Sequence, residues 1–281
     1  MRGERWAVAR NLGKALGLLV VAAATAGAIG WLVGGYRTLL LFVAATVLLA
    51  GAVYWYGDRF VLGMTGAREL PLAGAPGLHS ALERLAARAE VVKPRLYLLD
   101  DGYPRLFAVG RGPAGSSLAV SRGLLTAAPP AELDGLLAHE LAHVRARDTV
   151  VQTLAVVIAA TLIEMSRIGG FLERGLLFAL GPIASAFVHL LLSPKRELDA
   201  DLAAARFCES PNGVAGGLVL LDQASELVAF RESPSTEPLY SVNPFAEEGL
   251  AALFVTHPPL AERIRRLRAL DAEWSEKLRA A

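Results

Sequence analysis

The segment His139-Glu140-Leu141-Ala142-His143 decides the reading of this chain. Residues four apart on an α-helix share one face, so two imidazoles at this spacing converge on one point. Imidazole nitrogen is a ready metal ligand, and Glu140, one position along, reaches a water on such an ion without ligating it. The ion lowers the pKa of its water, and Glu140 is placed to take the proton. Pro129-Pro130 opens the predicted helix, with Glu132 and Asp134 in its first turn, where acids favour the positive end of the dipole. Arg145 and Arg147 bound its far end. Taken alone, the same five residues also fit a salt-bridged surface helix, so the rest of the chain has to decide.

A catalytic metal site of this kind needs a third protein ligand and an open coordination position. Three histidines remain outside the motif: His79, His189 and His257. The lone cysteine, Cys208, excludes both a cysteine-based metal site and an intramolecular disulfide. The better third ligand is Glu197, in Arg196-Glu197-Leu198-Asp199-Ala200-Asp201. Glu197 and Asp201 are themselves four apart on one helical face. Glu197 can ligate while Asp201 accepts a hydrogen bond from a liganding histidine and fixes its tautomer. By themselves these acids fit a charged helix start after Pro194, and the His-Glu-x-x-His partner gives them a function. Asp148 reads as a brace between the motif helix and a basic neighbour, or as a plain surface residue.

Hydrophobic residues make up 54% of the 281 and charged residues 20%, a balance that leans towards a membrane protein. The net charge of +1 gives no electrostatic case for nucleic acid. Ala15 to Tyr36 and Thr38 to Gly57 carry no charge, and each matches the ~20 residues of a membrane-spanning helix. Gly34-Gly35-Tyr36-Arg37 supplies the turn between them. Trp31, Tyr36, Tyr54, Trp55 and Tyr56 fall near the span ends, where aromatic rings favour the interface. A cleaved signal peptide is the alternative for the first stretch, but the apolar run is long and a second follows at once. Arg2, Arg5, Arg10 and Lys14 before the pair, with Arg59 and Arg68 after it, favour both ends facing the cytoplasm.

Residues 58–148 read as the first part of a soluble α+β domain. Leu78, Leu82, Leu85, Ala86 and Ala89 line one face of a helix. Arg95 to Leu99 alternates like a strand, Asp100 to Pro104 is turn chemistry, and Leu106 to Gly110 and Ser117 to Ser121 are further strands. Residues 149–192 hold a second apolar pair, Thr149 to Ile163 and Leu176 to Leu192, read as two membrane crossings or as buried or interfacial helices. The motifs on either side must meet, so the chain crosses twice or not at all. Residues 193–281 complete the domain. They comprise a helix from Pro194 broken near Ser210 to Gly213, a polar loop over 231–249, and a basic helix from Leu260. Arg263, Arg265, Arg266 and Arg268 read there as a solvated face, or as a contact to anionic lipid.

Taken together, these segments resemble the HtpX family of membrane zinc peptidases, related to the CAAX prenyl proteases. The resemblance runs from the N-terminal hairpin to the last helix. Leu106 to Arg111 resembles the family's edge-strand segment, Ala138 to Asp148 its metal helix, and Arg196-Glu197 with Ala200-Asp201 its third-ligand helix. Thr256-His257-Pro258-Pro259 followed by Glu262-Arg263-Ile264 resembles its C-terminal signature. Arg105 departs from the pattern, since relatives commonly carry Asn there.

The resemblance implies a cytoplasm-facing, multi-pass endopeptidase of a prokaryotic plasma membrane, acting on misfolded membrane proteins under stress. The fold expected is α+β, a mostly helical gluzincin-type domain with a small sheet on a transmembrane hairpin. It would hold one Zn(2+) on His139, His143 and Glu197, with Glu140 as base and Asp201 and Asp148 behind the ligands. Phe107, Ala108, Val109 and Gly110 form either an exposed edge that pairs with the substrate strand or an ordinary sheet edge. His257 polarises the scissile carbonyl, holds the cleft shut, or simply opens the last helix. The alternatives are a zinc-binding membrane scaffold without turnover, which an intact Glu140 argues against, and a site-2-type intramembrane protease. Glu132, Asp134, Arg145 and Arg147 flank the motif closely, and Leu133-Asp134-Gly135 precedes it and so cannot serve as the later ligand; both argue against the latter.

Overall fold

The computed structural model describes residues 2–167, 194–228 and 258–280. Its first element, α1 (Arg2–Met64), is helical except at Gly34 and Gly35. Gly35 has φ 70°, a left-handed conformation that glycine adopts at little cost. The chain folds back on itself there, so that Gly30 lies against Thr38 and Leu39, and Gly27 against Val43. The predicted turn thus falls where the two glycines stand, but the second arm runs on to Met64 instead of ending at Gly57. Within Leu19–Met64 the most apolar stretch reaches a mean hydropathy of 2.1, and the helix is long and apolar enough to cross a membrane.

The remaining elements surround a four-stranded sheet. β1 (Arg68–Glu69) and a short 3-10 turn at Leu72–Gly74 lead into α2 (Pro76–Arg88). Then come β2 (Arg95–Leu99), β3 (Leu106–Gly110), β4 (Ser116–Ser121), α3 (Arg122–Ala127), α4 (Pro130–Arg145) and α5 (Asp148–Arg167). After the residues left undescribed follow α6 (Pro194–Cys208), α7 (Pro211–Val228) and α8 (Leu260–Ala280). The strand order is β1-β2-β4-β3; β2 and β4 run parallel, and both outer pairs are antiparallel.

Two apolar layers sandwich the sheet. Leu96, Leu106 and Leu118 face a core with Leu82 and Leu85 of α2, Leu137 and Leu141 of α4, Leu218 of α7 and Leu267 of α8. Leu99, Phe107, Val109 and Ala119 face the opposite way, onto Val61 and Leu62 at the end of α1 and Val156 of α5. Burial on both sides explains why β3 reads as a continuous apolar run instead of alternating. The apolar arm of α1 is therefore joined to the sheet through its own last turns. His189, the polar loop over 231–249 and His257 lie outside the described residues, as does most of the second apolar pair beyond Arg167.

Candidate metal centre

Helix α4 carries His139, Glu140 and His143 inside a run, Gly135 to Val144, in which every residue is buried. Apolar neighbours alone do not explain burial of three ionisable groups, since an uncompensated buried charge is expensive. The compensation comes from α6, α5 and α8. Gly135 lets α7 pass close to α4, because a Cβ there would stand 2.6 Å from the Gly213 carbonyl carbon.

His139 Nε2 and His143 Nε2 lie 3.1 Å apart, and Glu197 Oε2 lies 3.5 Å from each. The other ring nitrogens face carboxylates. His139 Nδ1 is 3.0 Å from Asp201 Oδ1, and His143 Nδ1 is 2.9 Å from Asp148 Oδ2. Both Nε2 atoms are thereby aimed at one point between α4 and α6. These carboxylates are themselves held. Arg263, 1% exposed, donates from Nε and a terminal nitrogen to the two oxygens of Asp201, each at 2.7 Å. Arg196 Nε lies 3.4 Å from Asp148 Oδ2, and a terminal nitrogen of Arg196 lies 3.5 Å from Glu197 Oε1. Glu140 accepts a 2.8 Å hydrogen bond from the Ala108 amide of β3.

Among the described residues this buried cluster holds four carboxylates, Glu140, Asp148, Glu197 and Asp201, and two guanidiniums, Arg196 and Arg263. With neutral imidazoles the balance is two negative charges, the amount one divalent cation offsets. The same field acts on the imidazoles when protons alone are available. Burial works against a charged His143, but the Glu197 and Asp148 carboxylates outweigh it and push the pKa up to about 10. His139 is raised too, burial again being overcome by Asp201 and Glu197. Asp201 moves the opposite way, because Arg263 and His139 outweigh the effect of burial and hold its carboxyl below the usual range. The group of His139, His143 and Glu197 has the donors, the spacing and the charge to hold a metal ion.

The sequence located the three donors and both carboxylates behind them, and the structure brings all five together. It did not locate Arg263 or Arg196. The basic run suggests a solvated face; Arg265, Arg266 and Arg268 are exposed, but Arg263 is buried. Its signal was the spacing Leu260, Arg263, Ile264, Leu267, which puts it on the face that packs inward. The expectation of an exposed strand at Phe107 to Gly110 also needs correction. β3 is the outer strand in sheet order, yet every residue in it is buried. Glu140 takes the Ala108 amide, and Thr153 Oγ1 of α5 takes the Gly110 amide at 3.1 Å. Arg105 pairs with Asp101, and its amide donates to Ser121 Oγ, which anchors the start of β3. His79 bonds the Leu70 carbonyl at 3.0 Å and is not part of the cluster.

A profile of peptidase family M48 matches residues 73–271, from just before α2 well into α8. The "Protease HtpX homolog" of Pelotomaculum thermopropionicum is 36% identical over 260 residues, covering 86% of this chain and 92% of that one. The proteins of the same description from Syntrophobacter fumaroxidans and Acidiphilium cryptum are 37% and 38% identical, covering 87% and 89% of this chain and 92% and 94% of their own. Among solved structures, S. mikatae Ste24p is a looser likeness, with a TM-score of 0.46 and 17% identity, covering 91% of this chain and 62% of that one. The profile match and the identities over most of both chains agree with the chemistry of the donor set: the chain belongs to peptidase family M48 and is a metalloprotease.

Proposed function

We propose that the chain is a membrane-anchored, zinc-dependent endopeptidase that cleaves misfolded membrane proteins as part of quality control under stress. In this reading it is a multi-pass protein of a prokaryotic plasma membrane with its site on the cytoplasmic side. The observation that carries the reading is the convergence of two imidazoles and one carboxylate, with the Glu140 carboxylate one residue along. In a tetrahedral zinc site with bonds of about 2.0–2.1 Å, ligand atoms stand about 3.3 Å from one another. Separations of 3.1, 3.5 and 3.5 Å fit that figure. Zinc bound there would bring a water to a pKa near neutrality and polarise a carbonyl oxygen.

The chain's own residues do the rest. Glu140 takes the proton of the attacking water and returns it to the leaving amine nitrogen. Asp201 and Asp148 keep the Nδ1 proton on each ligand, so that both Nε2 lone pairs face the metal. Arg263 holds the Asp201 carboxylate and Arg196 lies against that of Asp148, which keeps both in position. β3 offers main-chain groups for an extended substrate once Glu140 and Thr153 release them. Support for membrane residence comes from the apolar α1 and from the basic residues that flank it at both ends. His257 is proposed to polarise the substrate carbonyl.

Casein cleavage by the detergent-purified full chain tests the reading. The wild type should cleave, lose activity with a chelator and regain it with zinc. Glu140→Gln should keep its zinc and be inactive. If wild type and Glu140→Gln both hold zinc and both are inert on soluble and membrane substrates alike, the protein is a zinc-binding scaffold.

A further inference from the structure

Where α1 leaves its apolar stretch, a cavity of about 280 Å³ opens between its last turns, the segment before β2 and the β3–β4 turn. Arg59, Lys93, Arg95 and Arg111 line it, and Asp58 is the only acid among its lining residues. Asp58 is already committed to Arg95 at 3.2 Å. Lys93 has a 3.1 Å contact with Glu83, a largely exposed pair of the kind that contributes little. Arg59 and Arg111 have no carboxylate partner among the described residues and lie instead over aromatic rings. Arg111 stands 4.4 Å from the Trp55 ring centre and Arg59 5.6 Å from that of Tyr56. Arg111 Nε is buried without an acceptor. A cavity with four cations, one neutralised acid and an idle buried guanidinium N–H lacks an anion with oxygen acceptors.

The position of the cavity narrows the source of that anion. Trp55 and Tyr56 are each 59% exposed, as rings at a membrane interface would be, and Val92 on the rim is 64% exposed. Gly57 ends the uncharged stretch and Asp58 begins the charged one. From Trp55 to Arg59 the helix rises about 6 Å, close to the thickness of one headgroup layer, about 5–8 Å. We infer that this cavity binds the phosphate of an anionic phospholipid headgroup and so fixes the depth and tilt of the peptidase domain against the bilayer. The inference rests on the membrane reading proposed above.

The test measures binding of acyl-labelled phosphatidylglycerol and phosphatidylcholine to the full chain in nonionic detergent, with inorganic phosphate as a third probe. Three proteins are compared: wild type, Arg59→Gln/Arg111→Gln, and Arg265→Gln/Arg268→Gln, which loses the same charge on the exposed face of α8. The wild type and the α8 pair should prefer phosphatidylglycerol by on the order of tenfold, and the cavity pair should show almost no preference. The inference is overturned if the cavity pair keeps the wild-type preference, or if both pairs lose it equally, which would mean diffuse charge. Saturation by inorganic phosphate without any lipid preference would assign the anion to solution and overturn the headgroup. Flotation on neutral phosphatidylcholine vesicles separates the two readings. If wild type and cavity pair both float, only the cavity is at stake; if neither floats, the membrane reading fails and takes the headgroup with it.

Discussion

At the scale of single residues, the site is two nested sets of contacts: three donors that converge on one point, and the charged groups that hold them. Arg263 is the clearest test of the outer set. Arg263→Met keeps side-chain bulk but leaves Asp201 buried without its bidentate partner. Removing one member of a buried pair costs about 3–5 kcal/mol, and loss of an outer contact lowers metal affinity about 10–100-fold. Thermal unfolding and a zinc titration should therefore both register the change. Arg263→Lys should fall between, since an ammonium restores the charge but not the two-pronged geometry. The histidines were legible because a helical spacing of four makes them converge, Glu140 because it stands beside the first of them, and Glu197 because it shares a helical face with Asp201. Asp201 was legible by the same spacing. Arg263 was not, because three exposed arginines beside it masked the one position on the inward face.

At the scale of elements, the outer edge of β3 is closed from within. Glu140 and Thr153 hold the Ala108 and Gly110 amides that an incoming strand would use. Thr153→Val removes the hydroxyl while keeping the shape. The unsatisfied Gly110 amide should lower stability by about 1–3 kcal/mol. The same amide becomes free for substrate, so KM for an extended peptide should fall severalfold with zinc content unchanged. An unchanged or raised KM would show that β3 does not pair with substrate. Strand β2 was readable from its alternation, β3 from a short apolar run between turn residues, and helices α4 and α6 from their proline starts. β1 was not, because two residues are too few to show alternation. Nor was α3, whose six residues include Gly123 and whose start is marked only by the Ser121 hydroxyl accepting from the Leu124 amide at 3.0 Å.

At the scale of the whole molecule, an apolar hairpin and a charged, buried centre are joined through the last turns of α1. The hairpin was legible because two uncharged stretches flank a pair of glycines. From sequence, Thr149 to Ile163 and Leu176 to Leu192 read as a membrane pair or as buried helices, because apolar stretches of that length suit a bilayer or a protein core equally well. Two consequences follow for the intact protein. The chain should stay with membranes through an alkaline carbonate wash, and its release into the supernatant would contradict anchoring by α1. Chelation should lower the melting temperature by several degrees, since an ion that binds only the folded state stabilises it by mass action. Glu197→Ala should melt at the same temperature with and without the chelator.

The central claim is that His139, His143 and Glu197 together hold one zinc ion per chain. The most direct measurement is the zinc content of the purified full chain by elemental mass spectrometry, wild type beside Glu197→Ala, with casein cleavage on the same samples. About one zinc per chain and cleavage are expected for the wild type, and loss of both for Glu197→Ala. If Glu197→Ala retains full zinc and full activity, Glu197 is not the third ligand, and Asp201 or His257 takes its place.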